Sequence, residues 1–401
     1  MLYAYKGGKA VTSIYIIRHA QAEGNVYRIC QGQMNGLLMP NATYQLEALA
    51  KRFENIHLDA VYASDLYRAA MTAKAVADVK GLPVQQTKAL REIHFGDLEG
   101  CAWGEMQVRY PELEEKFNAK CHDYEIPGGE DVVSAANRLR DEFLRLAKLH
   151  PGQTIAAASH GGALAAFFAL ADHEDMRDFS MYTYCGNTAV SLIHIDDDGK
   201  ITVEYRFDTS HLNALPEKYV RAERPKPWHP DVKPIGHFGF DLWYRPVNFA
   251  ADAALVRVFG EDAWHAVYGD DRFDAGKFVE NTKAMLDTHP GSCMFACHGD
   301  RIVGLLMLDT RQTDEDGVGH IAFVYLIEPY RHMGLGVQLI GKAVHFYRAI
   351  GKTTLRLNVA KSNMAAIALY ERLGFERVRS LRKTLSGQYV MKKDIAMKTL
   401  S

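Results

Sequence analysis

Two histidines, two arginines and a glutamate stand just past the ends of short apolar runs. After "SIYII" come Arg18 and His19; after "VYAS" comes "DLYRAAMTA" with Arg68; after "VQQT" comes "ALREIHFGDLEG" with Glu92; after "TIAAAS" comes His160, followed by Gly161 and Gly162. This set suits phosphoryl transfer through a covalent histidine. A neutral imidazole, with an ordinary pKa of about 6.5, is a competent nucleophile at neutral pH. The moving phosphoryl group keeps negative charge on its oxygens, which planar guanidinium forks hold two at a time. A second imidazole adds a hydrogen bond, and a carboxylic acid supplies the proton that the leaving oxygen needs. No metal enters this scheme, and the sequence shows no carboxylate cluster to bind one. Each signal alone is common at ordinary strand ends and turns. Their occurrence together, in order, is not.

For these residues to meet, the runs must be neighbouring strands of one sheet, because open α/β sheets bind ligands beyond the carboxyl ends of their strands. Between the runs lie stretches of helical periodicity, "QLEALAKRFENI", "LYRAAMTAKAVAD" and "VVSAANRLRDEFLRLAKL". The alternation predicts an α/β sheet covered by helices on both faces. "TAVSLIHIDDDGKITVEYRF" predicts a hairpin with an Asp-Gly turn, closing the unit near His211. Pro216, Pro225, Pro227, Pro230 and Pro234 then fall among charges without periodicity, which predicts a stiff spacer or a strap over a surface. From about Asp241 a different pattern starts, with helices, the hairpin "CMFACHGDRIVGLLMLD" turning at Gly299, and further strands and helices. The expected division is residues 1–213, a Pro-rich linker at 214–238, and a second domain at 239–401.

Composition agrees with two globular domains. A chain of 401 residues exceeds one ordinary core. Hydrophobic residues are 48% and charged residues 24%, and the formal net charge of −2 offers no field to hold nucleic acid or an anionic membrane. The six cysteines are scattered; Cys293 and Cys297 read as strand-core residues, and reduced thiols fit the cytosol. "TIAAASHGGALAAFFALA" is broken by Ser159 to Gly162 and reads as strand, turn and helix, not as a membrane span. With no signal-peptide pattern at the start, a cytoplasmic location is expected, with no nucleic-acid or membrane partner.

In the second half, "IAFVYLIEPYRHMGLGVQLIGKAVHFYRAIG" puts an apolar strand before Arg331, Gly334 and Gly336, and a helix after them. Glycines there let the backbone approach a ligand, and free N–H groups at a helix start form an anion site. The lysine and Ser/Thr of a P-loop are missing. "TTLRLNVAKSNMAAIALYERLGF" then reads as a strand, Asn363 as helix N-cap, a helix carrying Tyr370, and Gly374 as its stop.

With these motifs, the stretch from about Ser13 to His211 resembles the histidine phosphatase superfamily, the phosphoglycerate-mutase-like fold, a three-layer α/β domain. "RHAQAEGN" looks like its Arg-His-Gly signature, "SDLYRAAMTA" like its second arginine motif, "LREIHFGDLEG" like its acid motif and "SHGG" like its second histidine. The resemblance implies His19 as nucleophile, with Arg18, Arg68 and His160 as the phosphate pocket. Glu92 would be acid to the leaving group and later base toward water, and Asn25 would touch phosphate. Ala20 and Ala22 stand where glycine and threonine are common, and "MNGLLMPNATYQ" lacks the usual threonine–glycine pattern, departures that bear on substrate identity. "FGDLEG" looks more like the phosphatase branch than the mutase branch. The loop from Gln31 to Tyr44 and the stretch from Trp103 to Tyr124 are expected to shape this pocket.

The stretch from about Leu242 to Lys393 resembles the GNAT superfamily of N-acetyltransferases, an α+β fold that binds acetyl-CoA. The resemblance implies that the backbone from His332 through Met333, Gly334, Leu335 and Gly336 to Val337, after Arg331, cradles the cofactor pyrophosphate. The strand around Leu326 would pair with the pantetheine arm, Asn363 would contact the cofactor, and Tyr370 would protonate the departing thiolate. Pro329 lies one residue nearer Arg331 than is common. Glu328, His320 and Asp309 are candidate general bases by position.

The expectation is a bifunctional enzyme, a phosphomonoester hydrolase with a phosphohistidine intermediate fused to an acetyl-CoA-dependent N-acetyltransferase, acting on a small phosphoester and a small-molecule or peptide amine. Two other readings stay open. In one, a non-catalytic acetyl-CoA-binding domain regulates the phosphatase; in the other, the first domain is a mutase-type phosphotransferase.

Overall fold

The computed structural model describes residues 10–118, 125–172, 185–220, 225–235, 239–270, 272–311, 316–378 and 387–400. In the first half, β1 (Val11–Arg18), β2 (Ala60–Ser64), β3 (Val84–Thr87), β4 (Thr154–Ser159), β5 (Val190–Asp196) and β6 (Ile201–Asp208) form one sheet in the order β3-β2-β4-β1-β5-β6. The first four of that order run parallel, and β5 and β6 are the antiparallel hairpin closing the sheet. Its helices are α1 (Glu23–Tyr27), α2 (Ala42–Phe53), α3 (Tyr67–Asp78), α4 (Glu105–Arg109), α5 (Pro111–Asn118), α6 (Val132–Leu149), α7 (Gly161–Asp172) and α8 (Glu217–Val220).

Alternation along the strands splits the core into two layers. Ile14, Ile16, Ile155 and Ala157 pack with Leu139 and Phe143 of α6 and Phe167 of α7. Their neighbours Ile17, Ala156 and Ala158 pack with Leu49 and Phe53 of α2 and Val76 of α3. A period-two apolar strand can serve two faces only when helices cover both, so the layering follows from the sequence pattern. The register levels the strand ends: Arg18 lies opposite Ser159, Ala63 opposite Ala158, and Ser64 opposite Thr87.

The second half holds β7 (Trp243–Pro246), α9 (Phe249–Tyr268), α10 (Ala275–Thr288), β8 (Cys293–His298), β9 (Arg301–Asp309), β10 (Val318–Leu326), α11 (Gly336–Ala349), β11 (Thr354–Ala360), α12 (Met364–Arg372), β12 (Glu376–Val378) and β13 (Gln388–Asp394). The strands form a sheet in the order β12-β13-β11-β10-β9-β8-β7. Cys293 and Cys297 are buried beside Phe259 of α9 and Met285 of α10, as expected of strand-core residues. The central parallel pair separates along its length: β10 pairs with β11 only from Val318 to Ile321, although β10 continues to Leu326. A register shift between Ile321 and Phe323 accompanies the separation, and such bulges bend a strand away from its neighbour.

The two halves share an apolar core. Tyr27, Ile29, Met39 and Ala102 of the first pack in one cluster with Leu339, Ile340 and Ala343 of α11. A Cβ at Gly341, midway along α11, would lie 2.3 Å from Tyr27 Cβ, so only glycine admits α1 this closely. Three ion pairs rim the contact: Arg28–Asp241, Lys342–Glu105 and Arg348–Glu23. The Pro-rich segment is a strap. Tyr219 stacks on Tyr44 of α2 at 4.1 Å, and Trp228 Nε1 donates to Arg331 O at 2.7 Å. The start of the stretch from Trp103 also belongs to this contact. Glu105 pairs with Lys342, and a Cβ at Gly104 would sit 2.5 Å from Leu242 O. Residues 119–124 of that stretch lie outside the described residues.

Candidate active site

The level ends of β1, β2 and β4 bring Arg18, His19, Arg68 and His160 together. The His19 and His160 ring centroids are 5.2 Å apart. His19 Nδ1 lies 2.7 Å from Ala20 O. A carbonyl can only accept, so Nδ1 carries the proton and Nε2 keeps its lone pair. Burial, then the charges of Arg68 and Arg18, hold the His19 pKa well below 6.5. Burial and then Arg68 do the same for His160. Both rings are therefore neutral at pH 7, and His19 is ready as a nucleophile.

Four buried nitrogens around it lack protein partners. Arg18 Nε, Arg68 Nε and both His160 nitrogens are buried without a hydrogen bond. Unmet polar groups at this depth are costly, and a phosphoryl group offers several acceptor oxygens at once. Burial lowers the Arg68 pKa to about 10, which leaves it charged at neutral pH. Its terminal nitrogens donate to Met34 O at 2.8 Å and Gly32 O at 2.6 Å, tying the loop after Gln31 across the cluster.

Glu92 arrives from the segment after β3 and docks at the start of α7. Its Oε1 accepts from Ile93 N at 3.0 Å and Ala163 N at 2.6 Å, and its Oε2 from Gly162 N at 3.1 Å. The two glycines after His160 make the room. A Cβ at Gly162 would lie 2.9 Å from Glu92 Oε1, and one at Gly161 would lie 2.9 Å from Arg18 Nε.

Asn25 sits on α1 beside the cluster, with Oδ1 accepting from Ala22 N at 2.9 Å and from Asn187 Nδ2 at 3.2 Å. Asn187 also donates to His19 O at 3.1 Å. Thr72 Oγ1 accepts from Ala20 N at 2.9 Å, and Arg138 donates to Arg91 O at 3.0 Å and Glu92 O at 3.3 Å. Sequence reasoning missed all three. Thr72 lies one helical turn past Arg68, a spacing that could have found it. Asn187 precedes β5, an antiparallel strand that brings its beginning to the edge where its neighbours end.

A second cleft, of about 680 Å³, lies where β10 and β11 separate and includes Leu326, Arg331, Gly334, Gly336, Asn363 and Tyr370 in its lining. His332 and Leu335 also line it, whereas Met333 is buried in the core and Val337 lines a neighbouring cleft. Gly334 has φ +84° and open space where a Cβ would be, a backbone shape suited to close approach by a ligand. Arg331 acts as a brace, its Nε donating to Leu326 O at 2.7 Å and its guanidinium pairing with Asp262. Asn363 caps α12, accepting from Ala366 N at 3.1 Å. Burial pushes the Tyr370 phenol up to about 12. Glu328, His320 and Asp309 are not among the residues lining the cleft; His320 and Asp309 face each other at the opposite end of the β9–β10 pair. An unpaired strand edge, a glycine turn at a helix start and a protonated phenol fit an acyl-CoA.

Among the described residues no group of three or more His, Cys, Asp or Glu is placed to hold a metal ion, and no helix is long and apolar enough to cross a membrane.

Residues 14–208 match the family model of the histidine phosphatase superfamily (branch 1), and residues 258–375 match that of the acetyltransferase (GNAT) family. The metal-independent phosphoserine phosphatase of Arabidopsis thaliana is 32% identical over 208 residues, 51% of this chain and 85% of that protein. Phosphoserine phosphatase 1 of Hydrogenobacter thermophilus is 28% identical over 214 residues, 53% of this chain and 99% of that protein. Among solved structures, Bacillus stearothermophilus YhfR is 28% identical and covers 50% of this chain and 99% of its own, with a TM-score of 0.47. Through residues 14–208 the chain belongs to the histidine phosphatase superfamily, and residues 258–375 after it carry the match to the acetyltransferase (GNAT) family.

Proposed function

We propose that the chain is a phosphomonoester hydrolase fused to an acetyl-CoA-dependent N-acetyltransferase, and that the substrates of both sites are aminated small metabolites. The observation carrying the first activity is the His19 Nδ1–Ala20 O hydrogen bond, which leaves Nε2 unprotonated near Arg18 Nε, Arg68 Nε and a His160 ring that have no protein partner. His19 Nε2 attacks phosphorus, the ester P–O bond breaks, and Glu92 gives its proton to the leaving oxygen. Glu92 then takes a proton from water, whose oxygen attacks phosphorus and breaks the P–N bond, releasing phosphate and free His19. Two relatives named as phosphoserine phosphatases support phosphoserine-like substrates, which carry an amine beside the phosphoester.

In the second cleft, acetyl-CoA would supply the activated acetyl group. The backbone from His332 to Val337 would hold its pyrophosphate, the free edge of β10 near Leu326 its amide arm, and Tyr370 Oη a proton for the departing sulfur. The test is mass spectrometry of aminated phosphomonoesters incubated with and without acetyl-CoA, with His19→Ala as control. Loss of phosphate together with gain of acetyl on one skeleton supports the proposal. Good substrates of the two sites with no shared skeleton would overturn the common-metabolite part.

A second reading is favoured by one relationship. Helix α11 starts at the Gly334–Gly336 turn and carries in its last turn Arg348, which grips Glu23 of α1, the helix carrying Asn25. Cofactor at one end of α11 would then tune the phosphatase at the other. That reading requires phosphatase kinetics that respond to acetyl-CoA, and a response that survives Tyr370→Phe.

A further inference from the structure

A cleft of about 500 Å³ lies between the two domains, beside the acetyl-CoA cleft. The second domain contributes Gly334, Leu369 and Arg372, which also line the acetyl-CoA cleft, so the two spaces adjoin at the glycine turn. The first domain and the strap contribute Gln21, Asn41 and Lys218. No carboxylate is among the residues lining it, and two are cations. Gln21 is only 3% exposed, and its Nε2 is buried with no hydrogen-bond partner in the protein. A buried amide donor is costly when unmet, so its presence in this wall points to a ligand acceptor. Val26, Met39 and Tyr219 supply apolar and aromatic surface. Donors and cations with an aromatic wall suit a base carrying a phosphate.

We propose that this interdomain cleft binds the 3′-phosphoadenosine end of coenzyme A, so that one cofactor is held by both domains through Gln21, Asn41 and Lys218. The inference rests on acetyl-CoA being the ligand of the second domain. Coenzyme A is linear, with its thiol end assigned to Tyr370 and its pyrophosphate to the Gly334–Gly336 turn. The nucleotide must continue past that turn, and the interdomain cleft lies there. A phosphatase domain thereby completes the cofactor site of an acetyltransferase.

Calorimetric titration of the full-length chain with coenzyme A and with 3′-dephospho-coenzyme A tests this. The 3′-dephospho form is expected to bind the unsubstituted protein about tenfold more weakly, the size of one charge-assisted hydrogen bond. Lys218→Glu and Gln21→Leu should each weaken coenzyme A by a similar factor, and Lys218→Glu should change the affinity for the 3′-dephospho form little. Lys218 is exposed, so its substitution leaves the core intact. Equal affinities for coenzyme A across all three proteins would overturn the inference while leaving the acetyl-CoA reading in place. Absence of binding to the unsubstituted protein would instead sink that reading, and this inference with it.

Discussion

Arg348 and Glu23 form a two-pronged ion pair across the domain contact. Arg348 Nη1 meets Glu23 Oε2 at 2.7 Å, and Nη2 meets Oε1 at 3.1 Å. The Glu23 side chain is 4% exposed and that of Arg348 is 16% exposed. Removing one charge from such a pair strands the other away from water. Glu23→Gln should therefore cost about 3 kcal/mol of stability, and Glu23→Gln with Arg348→Met should recover most of it. Urea denaturation read by fluorescence checks this. A double variant no better than the single one would mean that the pair is not a self-contained unit. Loss of phosphatase activity in the folded double variant would favour coupling through α11.

The room at the start of α7 predicts that Gly162→Ala disables the phosphatase without unfolding it. The new Cβ would stand 2.9 Å from Glu92 Oε1, and the carboxyl must shift. Displacement of a catalytic group by about an ångström costs on the order of a hundredfold in rate. Circular dichroism should be unchanged. The loss should be larger for alkyl phosphates, which need a proton on the leaving oxygen, than for aryl phosphates, whose leaving anion is stable. An equal loss on both substrate types would argue against Glu92 as the acid.

Acid should weaken the fold before it stops the nucleophile. His19 and His160 are held well below 6.5, and burial brings His211 down to about 4. Each has a folded pKa below its unfolded value, so the unfolded chain binds more protons between the two. Stability is then fully present above about pH 6.5 and falls as pH drops from there through the folded values. Urea midpoints should decline steadily from about pH 6.5 to pH 5, while the acid limb of kcat/KM, which reports His19 in the free enzyme, lies below pH 6.5. A kcat/KM limb centred at 6.5 would mean that His19 is not held neutral by its surroundings.

The residues legible in the sequence are those that periodicity encodes. Parallel strands in one sheet carry their ends to one edge, so Arg18, His19, Arg68 and His160 stand out as the polar residues at the close of successive apolar runs, and the acid motif after β3 led to Glu92. Asn187 escaped because β5 runs the other way. The domain contact escaped for a different reason. Glu23, Glu105, Lys342 and Arg348 look like ordinary solvated charges, and a helical pattern does not say what its polar face meets. Gly341 was the one local hint, a glycine inside a helix whose cost in helix stability is offset by close packing against Tyr27. The separation of β10 from β11 depends on a register shift at Ile321 that no residue type announces.

Tyr370 offers the sharpest test of the second site, because its proton and its packing can be separated. The phenol is buried near Phe375, with ring centroids 5.6 Å apart, and phenylalanine would keep that contact. Burial alone raises its pKa to about 12, so Oη stays protonated throughout the usual assay range. Tyr370→Phe should thus lower the acetyl-transfer kcat by about a hundredfold, the ordinary contribution of one positioned acid. The dissociation constant for acetyl-CoA should be unchanged. Because the donor does not titrate near neutrality, the ratio of the two rates should stay constant between pH 7 and pH 9. A ratio that closed with rising pH would assign the proton to a group of lower pKa, and an unchanged kcat would place Tyr370 in the wall of the cleft alone.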